Sequence, residues 1–383
     1  MPMDVYINDV AAFLPNEPVS NDDIENVLGK LNDIPSRTKK IMLRNNKIRY
    51  RHYAIQPETG DLTHTNSQLT AEAVRRLRPY EDFSPRDIQC LCCGTSSPDL
   101  LLPGHALMVL GELGLPPCEA VTTSGICISG MTAFKYAYMN VASGISDNAV
   151  SAGSELSSSF MRSKFFTPPG KPDADLEKKP FSAFDAEFLR WMLSDGAGAA
   201  FLSKEKNKDR PSMKVEWIEN ISFAGELETC MYAGGVKDEE GKMTGWRALD
   251  PAFQPNSQYP FLVKQDTKLL AREIVRTAID RTLIQIVRKH SLTPQDVDWF
   301  LPHYSSGFFR DKFYEAMKAA GFEIPYEKWF TNLSEKGNTG SAAIYIILEE
   351  LFHSGKLEKG QKLLCFIPES GRFSHCFMLL TVV

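Results

Sequence analysis

A chain of 383 residues is too long for one ordinary hydrophobic core and leaves room for two packed units of ordinary domain size. Its composition, 43% hydrophobic and 24% charged, is that of a globular protein and excludes global disorder. The net charge of −5 gives no reason to expect nucleic acid as a partner, and no apolar run approaches the roughly 18–20 residues that span a bilayer.

The opening MPMDVYINDV lacks the basic flank and apolar stretch of a signal peptide, so a cytoplasmic location is expected. Residues 34–57 carry Arg37, Lys39, Lys40, Arg44, Lys47, Arg49 and Arg51 and no acidic side chain. No nucleic-acid-binding module surrounds this run. It reads as a docking face for an acidic partner, or as a solvated helix face and hairpin. LTAEAVRRLR (69–78) has helical apolar spacing.

Residues 84–97, SPRDIQCLCCGTSS, open on a turn or helix-cap signature, run through an apolar strand and end in Ser-Ser. Period-2 alternation sends neighbouring cysteines to opposite faces. With no His or second CxxC at zinc spacing, Cys90, Cys92 and Cys93 are expected to be buried strand residues. Eight cysteines in all are too few for a disulfide scaffold in a chain this long. GICISGMTAFKYAYMNVASG (125–144) is a Gly-rich turn followed by a helix pattern ending in Gly, and NAVSAGSE (148–155) is a strand. An insertion near 163–193 follows: a Pro- and charge-rich surface loop, then FDAEFLRWML, whose helical spacing suits a cap over a site or a dimer interface.

The second half repeats this order. TPQDVDWFLPHYSS (293–306) echoes 84–97 at a constant offset, since 293−84, 303−94 and 306−97 all equal 209. AREIVRTAIDRTLIQIVRKH supplies the preceding helix, GNTGSAAIYIILEELFHSG (337–355) the Gly-rich turn and helix, and QKLLCFIPES the closing strand. Two echoes in register predict a duplicated α/β protein of βαβ halves, 1–205 and 206–383.

In such sheets, sites gather where a strand's carboxyl end feeds the next helix. Cys127, His303 and Asn338 hold that position. A helix start offers unpaired N–H groups and a positive dipole end, so the Cys127 thiol is expected to be lowered, with a nearby His to take its proton. Singly, each residue suits a structural role: a buried cysteine, a satisfied histidine, a turn asparagine.

At these residues the chain resembles the condensing enzymes of the thiolase superfamily, most closely the ketoacyl-carrier-protein synthase III group. SGICISGMTAF resembles the nucleophile helix, SDGAGAAFL the Gly-Asp-Gly-Ala-Gly strand, LPHYSS the Pro-His loop and KGNTGSAAI the Gly-Asn-Thr-Ser-Ala loop. The resemblance implies a thiolase-like fold in a layered αβαβα arrangement and a homodimer, for which a long apolar strand such as NAVSAG would supply a joining edge. It also implies a Cys-His-Asn triad of Cys127, His303 and Asn338, and an oxyanion hole from the N–H of Cys127 and one of the Gly371 loop. No metal or cofactor is implied. The substrates would be acyl carrier protein or CoA thioesters, with Arg37, Lys40, Arg44 and Arg49 receiving the carrier or its phosphopantetheine phosphate.

Gly-Ile-Cys in place of Ala-Ala-Cys, PESGRFSHC in place of a Gly-rich loop, and the insertion resemble the subgroup that forms dialkylresorcinols and cyclohexanediones. That subgroup joins a β-ketoacyl unit to a second acyl or enoyl unit and closes a ring. Glu155, at the end of NAVSAGSE, is the candidate acid or base for closure, or a structural carboxylate. A plain synthase III, a degradative thiolase using Cys376, a type III polyketide synthase and a non-catalytic partner subunit are the alternatives.

Overall fold

The computed structural model describes residues 3–31, 39–166, 188–249 and 261–383. Its main sheet has nine strands: β1 Tyr6–Phe13, β2 Cys90–Thr95, β3 Glu119–Ser124, β4 Asn148–Glu155, β5 Gly196–Ser203, β6 Met213–Ser222, β7 Trp299–Pro302, β8 Lys362–Glu369 and β9 Ser374–Val382. The helices used below are α1 Lys39–Asn46, α2 Asn66–Arg75, α3 His105–Leu113, α4 Ser129–Ala142, α5 Thr267–Val275, α6 Ile284–His290, α7 Arg310–Ala319 and α8 Ala343–Phe352.

The strand order is β7-β8-β9-β6-β1-β5-β4-β2-β3. From the centre outward, β1 is antiparallel to β5, β5 antiparallel to β4, and β4 parallel to β2. On the other side β6 is antiparallel to β9, β9 antiparallel to β8, and β8 parallel to β7. The same order of senses therefore occurs twice, with β3 as the strand that has no counterpart. The two sets touch where Tyr6 and Ile7 pair with Lys214 and Met213.

The turn signatures have matching structures. The backbone N–H of Ser84 donates to Asp87 at 2.9 Å, and that of Thr293 donates to Asp296 at 2.8 Å. Both caps precede an apolar strand whose alternation decides the layers. In β2, Leu91 and Cys93 face α2 and α3 through Leu69, Val74 and Val109. Cys90 and Cys92 point the other way, towards Met131 and Phe134 of α4 and Ile344 and Tyr345 of α8. In β8, Leu363, Cys365 and Ile367 join that same central cluster, while Leu364 and Phe366 face Ile274, Ile286 and Phe313 of α5, α6 and α7. Outer helices, strands, central helices, strands and outer helices thus stack as αβαβα, a mixed α/β, thiolase-like architecture. The eight cysteines are free, and Cys90, Cys92 and Cys93 are buried.

The central layer is tight because glycines line it. A Cβ at Gly153 would collide with the Ser341 carbonyl, and one at Gly198 would lie 3.5 Å from the Ile346 nitrogen and collide with Tyr345.

Two expectations are corrected. NAVSAG does not offer a joining edge: β4 lies between β5 and β2, its backbone paired on both sides, and the outermost strands are β3 and β7. The 271–290 pattern is not uniform α-helix, because Arg276–Leu283 widens to π-type turns between α5 and α6. There the backbone N–H of Ile284 donates to the Ile279 carbonyl five residues back, and the Thr282 hydroxyl donates to the Thr277 carbonyl at 2.8 Å. Among the described residues, no helix is long and apolar enough to cross a membrane.

Candidate active site

Cys127 lies in the turn between β3 and α4, two residues before the helix begins. Ser129 pins that turn, donating to the Ile126 carbonyl through N–H at 3.1 Å and Oγ at 2.8 Å. Cys127 is buried, the residue as a whole 6% exposed. Burial, then the Glu369 and Glu155 carboxylates, push its thiol up from the ordinary value, against a smaller lowering by its own N–H. The thiol is thus raised where a helix start predicts lowering, because desolvation of the thiolate and two negative neighbours exceed the lowering by its own N–H.

His303 follows β7, and its N–H extends the parallel ladder by donating to the Phe366 carbonyl at 2.8 Å. Burial lowers its imidazole to about 4. Among the described residues its Nε2 has no hydrogen-bond partner.

Asn338 is held by its backbone, donating to the Met192 carbonyl at 3.0 Å and accepting from the Ser194 N–H at 2.9 Å. Its Oδ1 accepts the Gly340 N–H at 3.0 Å, which fixes the amide so that its NH2 is the donor end. The end of the insertion therefore reaches the site through Met192. The rest of the segment expected to form a cap, through residue 187, lies outside the described residues.

Glu155 ends β4, fully buried, with four donors. Oε1 accepts from the N–H groups of Ser96 and Ser341, both at 3.2 Å. Oε2 accepts from the hydroxyls of Ser96 at 2.5 Å and Ser97 at 2.9 Å. Burial holds the carboxyl above its ordinary value, and these donors oppose the rise. The first Ser-Ser pair thus serves Glu155.

Gly371 lies in the loop between β8 and β9, and its carbonyl accepts the Cys230 N–H at 2.8 Å. Its own N–H faces the Glu369 carboxylate. Arg372, unexpected among small residues, turns away and donates to the Leu227 carbonyl at 2.9 Å.

Sequence reasoning missed Glu369. It is 4% exposed and, with Glu155, is one of the two carboxylates acting on Cys127. The signal was present: NAVSAGSE and KLLCFIPE are matched strands of the two halves, and each ends in Glu.

The basic run divides. Arg51 is buried and donates to Asn21 at 2.7 Å, Lys39 pairs with Glu25 at 3.0 Å, and Arg49 pairs with Glu335. Lys40, Arg44 and Lys47 are exposed, and Arg37 lies outside the described residues. α1 also lines an apolar cavity of about 220 Å³ through Met42 and Asn46, with Met192, Leu270, Ser306 and Phe309 opposite. Ser306 belongs to the His303 loop and Met192 holds Asn338. A larger cleft of about 920 Å³, lined by Arg78, Asn148, Ser203 and Lys206, lies at the opposite ends of β4 and β5 and is remote from Cys127.

Residues 287–370 match the family model for the C-terminal part of 3-oxoacyl-[acyl-carrier-protein] synthase III. The chain is 24% identical to the β-ketoacyl-[acyl-carrier-protein] synthase III of Chlorobaculum tepidum, over 94% of each chain. It is 23% identical to that of Koribacter versatilis, over 97% of this chain and 96% of the other. Among solved structures, AbyA1, a tetronic acid condensing enzyme, superposes with a TM-score of 0.76 at 20% identity, covering 98% of this chain and 99% of that one. Xanthomonas campestris OleA with bound lauric acid and lauroyl-CoA gives 0.70 at 18% identity, covering 100% of both. FabH of Pseudomonas aeruginosa gives 0.69 at 17% identity, covering 99% of this chain and 98% of that one. These structures share the thiolase-like fold with this chain. At the family level the chain is similar to acyl-transferring condensing ketosynthases of the synthase III type.

Proposed function

We propose that this chain is a ketosynthase that joins two acyl thioesters through an acyl-Cys127 intermediate, and that the union is followed by ring closure to a cyclohexanedione or dialkylresorcinol type of product. The observation that carries the reading is His303, a buried, neutral imidazole whose Nε2 has no partner among the described residues, on a loop whose Ser306 lines an apolar cavity, in a fold that buries Cys127 at a strand-to-helix turn.

Cys127 attacks the first thioester carbonyl. The acyl–sulfur bond moves to Cys127, and the thiol proton leaves on the released carrier thiol. The Cys127 N–H is the donor for the developing oxyanion, since the Gly371 N–H expected beside it is engaged by Glu369. The second thioester then loses an α-proton to solvent, or its α-carboxylate as CO2, and the bonding electron pair remains as an enolate. Its carbonyl oxygen, bearing the enolate charge, is held by His303 Nε2–H and the Asn338 NH2. The α-carbon attacks the acyl-Cys carbonyl, the C–S bond breaks with its electron pair on sulfur, and the Cys127 thiolate takes a proton from solvent to restore the thiol. Reading the halves as meeting near residues 205 and 206 assigns Cys127 to one and His303 and Asn338 to the other. The repeated strand senses support that division.

Acyl carrier protein or CoA would deliver the substrates. Lys40 and Arg44 are exposed on the helix whose other residues line the cavity, which suits a carrier's acidic face or phosphopantetheine phosphate. Arg49 serves that role less directly, being paired with Glu335. The OleA structure with lauroyl-CoA supports a long acyl chain in this fold.

A plain initiating synthase without ring closure is the second reading. The observation that favours it is Glu155, whose oxygens already accept four hydrogen bonds. Intact-protein and product mass spectrometry with β-ketoacyl and enoyl thioesters test both readings. The wild type is expected to gain one acyl mass and release a carbocycle, and Cys127→Ala to stay folded without the mass shift. Single acylation persisting in the variant would remove Cys127 from the mechanism.

A further inference from the structure

Glu369 ends β8 as Glu155 ends β4, and β8 holds the place in its strand set that β4 holds in the other. Their contacts cross. Glu155 accepts the Ser341 N–H, in the Gly-rich turn that carries Asn338. Glu369 faces the Ile126 N–H, in the Gly-rich turn that carries Cys127. Each strand-end carboxylate thus ties down the reactive turn of the other half.

Glu369 also closes its own loop. It accepts the Ser374 N–H at 3.2 Å and faces the N–H groups of Gly371 and Arg372. Gly371 makes this possible: a Cβ there would collide with the carboxylate and stand 3.0 Å from Ile126 Cγ1. A carboxylate surrounded by peptide donors from two loops holds those loops in one mutual orientation.

We infer that Glu369 is a positioning residue for acyl transfer, locking the Gly125–Ile126 peptide, next to Cys127, against the Gly371 loop so that the Cys127 N–H and thiol face the incoming carbonyl together. The inference rests on Cys127 being the acylated residue. Around the pair, the titratable groups are Glu155 beside Cys127 and Cys230 beside Glu369, with Asp266 and Lys237 behind Cys230.

Two reactions of the same sulfur test it. Alkylation by iodoacetamide needs a thiolate but no oriented N–H, whereas acylation by a thioester needs both. Glu369→Gln removes a negative neighbour of the thiol and points an NH2 end at peptide donors. At pH 8, alkylation of Cys127, read on its own peptide by mass spectrometry, is expected to quicken by about threefold or more. Acyl loading from a short acyl-CoA is expected to slow by about tenfold or more. Glu369→Asp keeps the charge and shortens the reach, so alkylation stays at the wild-type rate while acyl loading still falls. If Glu369→Gln slows both reactions together, or changes neither, the carboxylate only stabilises the fold and the inference is overturned. Failure of the enzymatic reading looks different, as wild-type protein that alkylates at Cys127 yet takes no acyl group. In that case an unaltered alkylation rate in Glu369→Gln overturns the inference, and a quickened one retains the contact between carboxylate and thiol.

Discussion

Burial acts in opposite directions on the two reactive groups, raising the Cys127 thiol and lowering His303 to about 4. Both are uncharged at neutral pH, so the resting pair is thiol and imidazole, and His303 enters as a neutral hydrogen-bond donor. Its depressed pKa keeps the neutral form as pH falls below the ordinary histidine value, and charge appears only on approach to about 4. Condensation should therefore not decline on the account of His303 between about pH 7 and pH 5.5. A pH–rate profile with its acid midpoint at an ordinary histidine value would contradict this. His303→Ala and Asn338→Ala should slow condensation by about 10²-fold or more, with a smaller effect on self-acylation, because their donors address the second carbonyl. Equal losses in the two half-reactions would count against that division. Glu155→Gln separates ring closure from structure. If Glu155 moves the ring-closing proton, the variant loads acyl groups and releases linear or pyrone-type products. Its four accepted hydrogen bonds support the other outcome, a lower melting temperature with the product ratio unchanged.

At the scale of elements, α8 occupies the centre because the strands beside it lack side chains where it passes. Gly198→Ala would drive a methyl into the Tyr345 side chain, and the ring has no room to retreat, since its hydroxyl bonds Ser151 at 2.7 Å and the Gly130 carbonyl at 2.8 Å. Overpacking of this kind costs about 1–3 kcal/mol or more. Gly111→Ala, inside α3 with open space around it, should instead stabilise by about 0.4–1 kcal/mol. Urea denaturation of the two variants measures both, and equal effects would refute the packing account. The π-type turns between α5 and α6 have a comparable local cause. Thr277 donates back to the Glu273 carbonyl at 2.7 Å and meets the buried His375 ring nitrogen at 2.8 Å, which sets this stretch against β9.

The whole molecule ends in an unfinished edge. Among the described residues β3 has β2 on one side and no strand on the other, and its residues are half-buried or exposed. An edge this close to the Cys127 turn suits pairing with a second copy across a two-fold axis. The protein is expected to be a homodimer, with light scattering giving twice 42.9 kDa. A stable monomer mass at working concentration would show that β3 is capped in another way.

Period and punctuation are local properties, and they were legible. The alternation in IQCLCCG places Cys92 and Cys93 on opposite faces, SPRD and TPQD both cap turns, and the 209-residue offset foreshadows the repeated strand senses. Contacts between distant segments were not. The basic run looked unopposed because Glu25 and Glu335 stand outside it in sequence. NAVSAG looked like an edge because neighbours in a sheet are chosen by topology, not by the strand's own residues. The Cys127 thiol looked lowered because a helix start is visible in sequence. The burial and the two carboxylates that raise it come from β4 and β8, far away in the chain. A sequence records which groups can meet water or one another nearby. Only the packed layers decide which of them lose water, and desolvation is the larger energy.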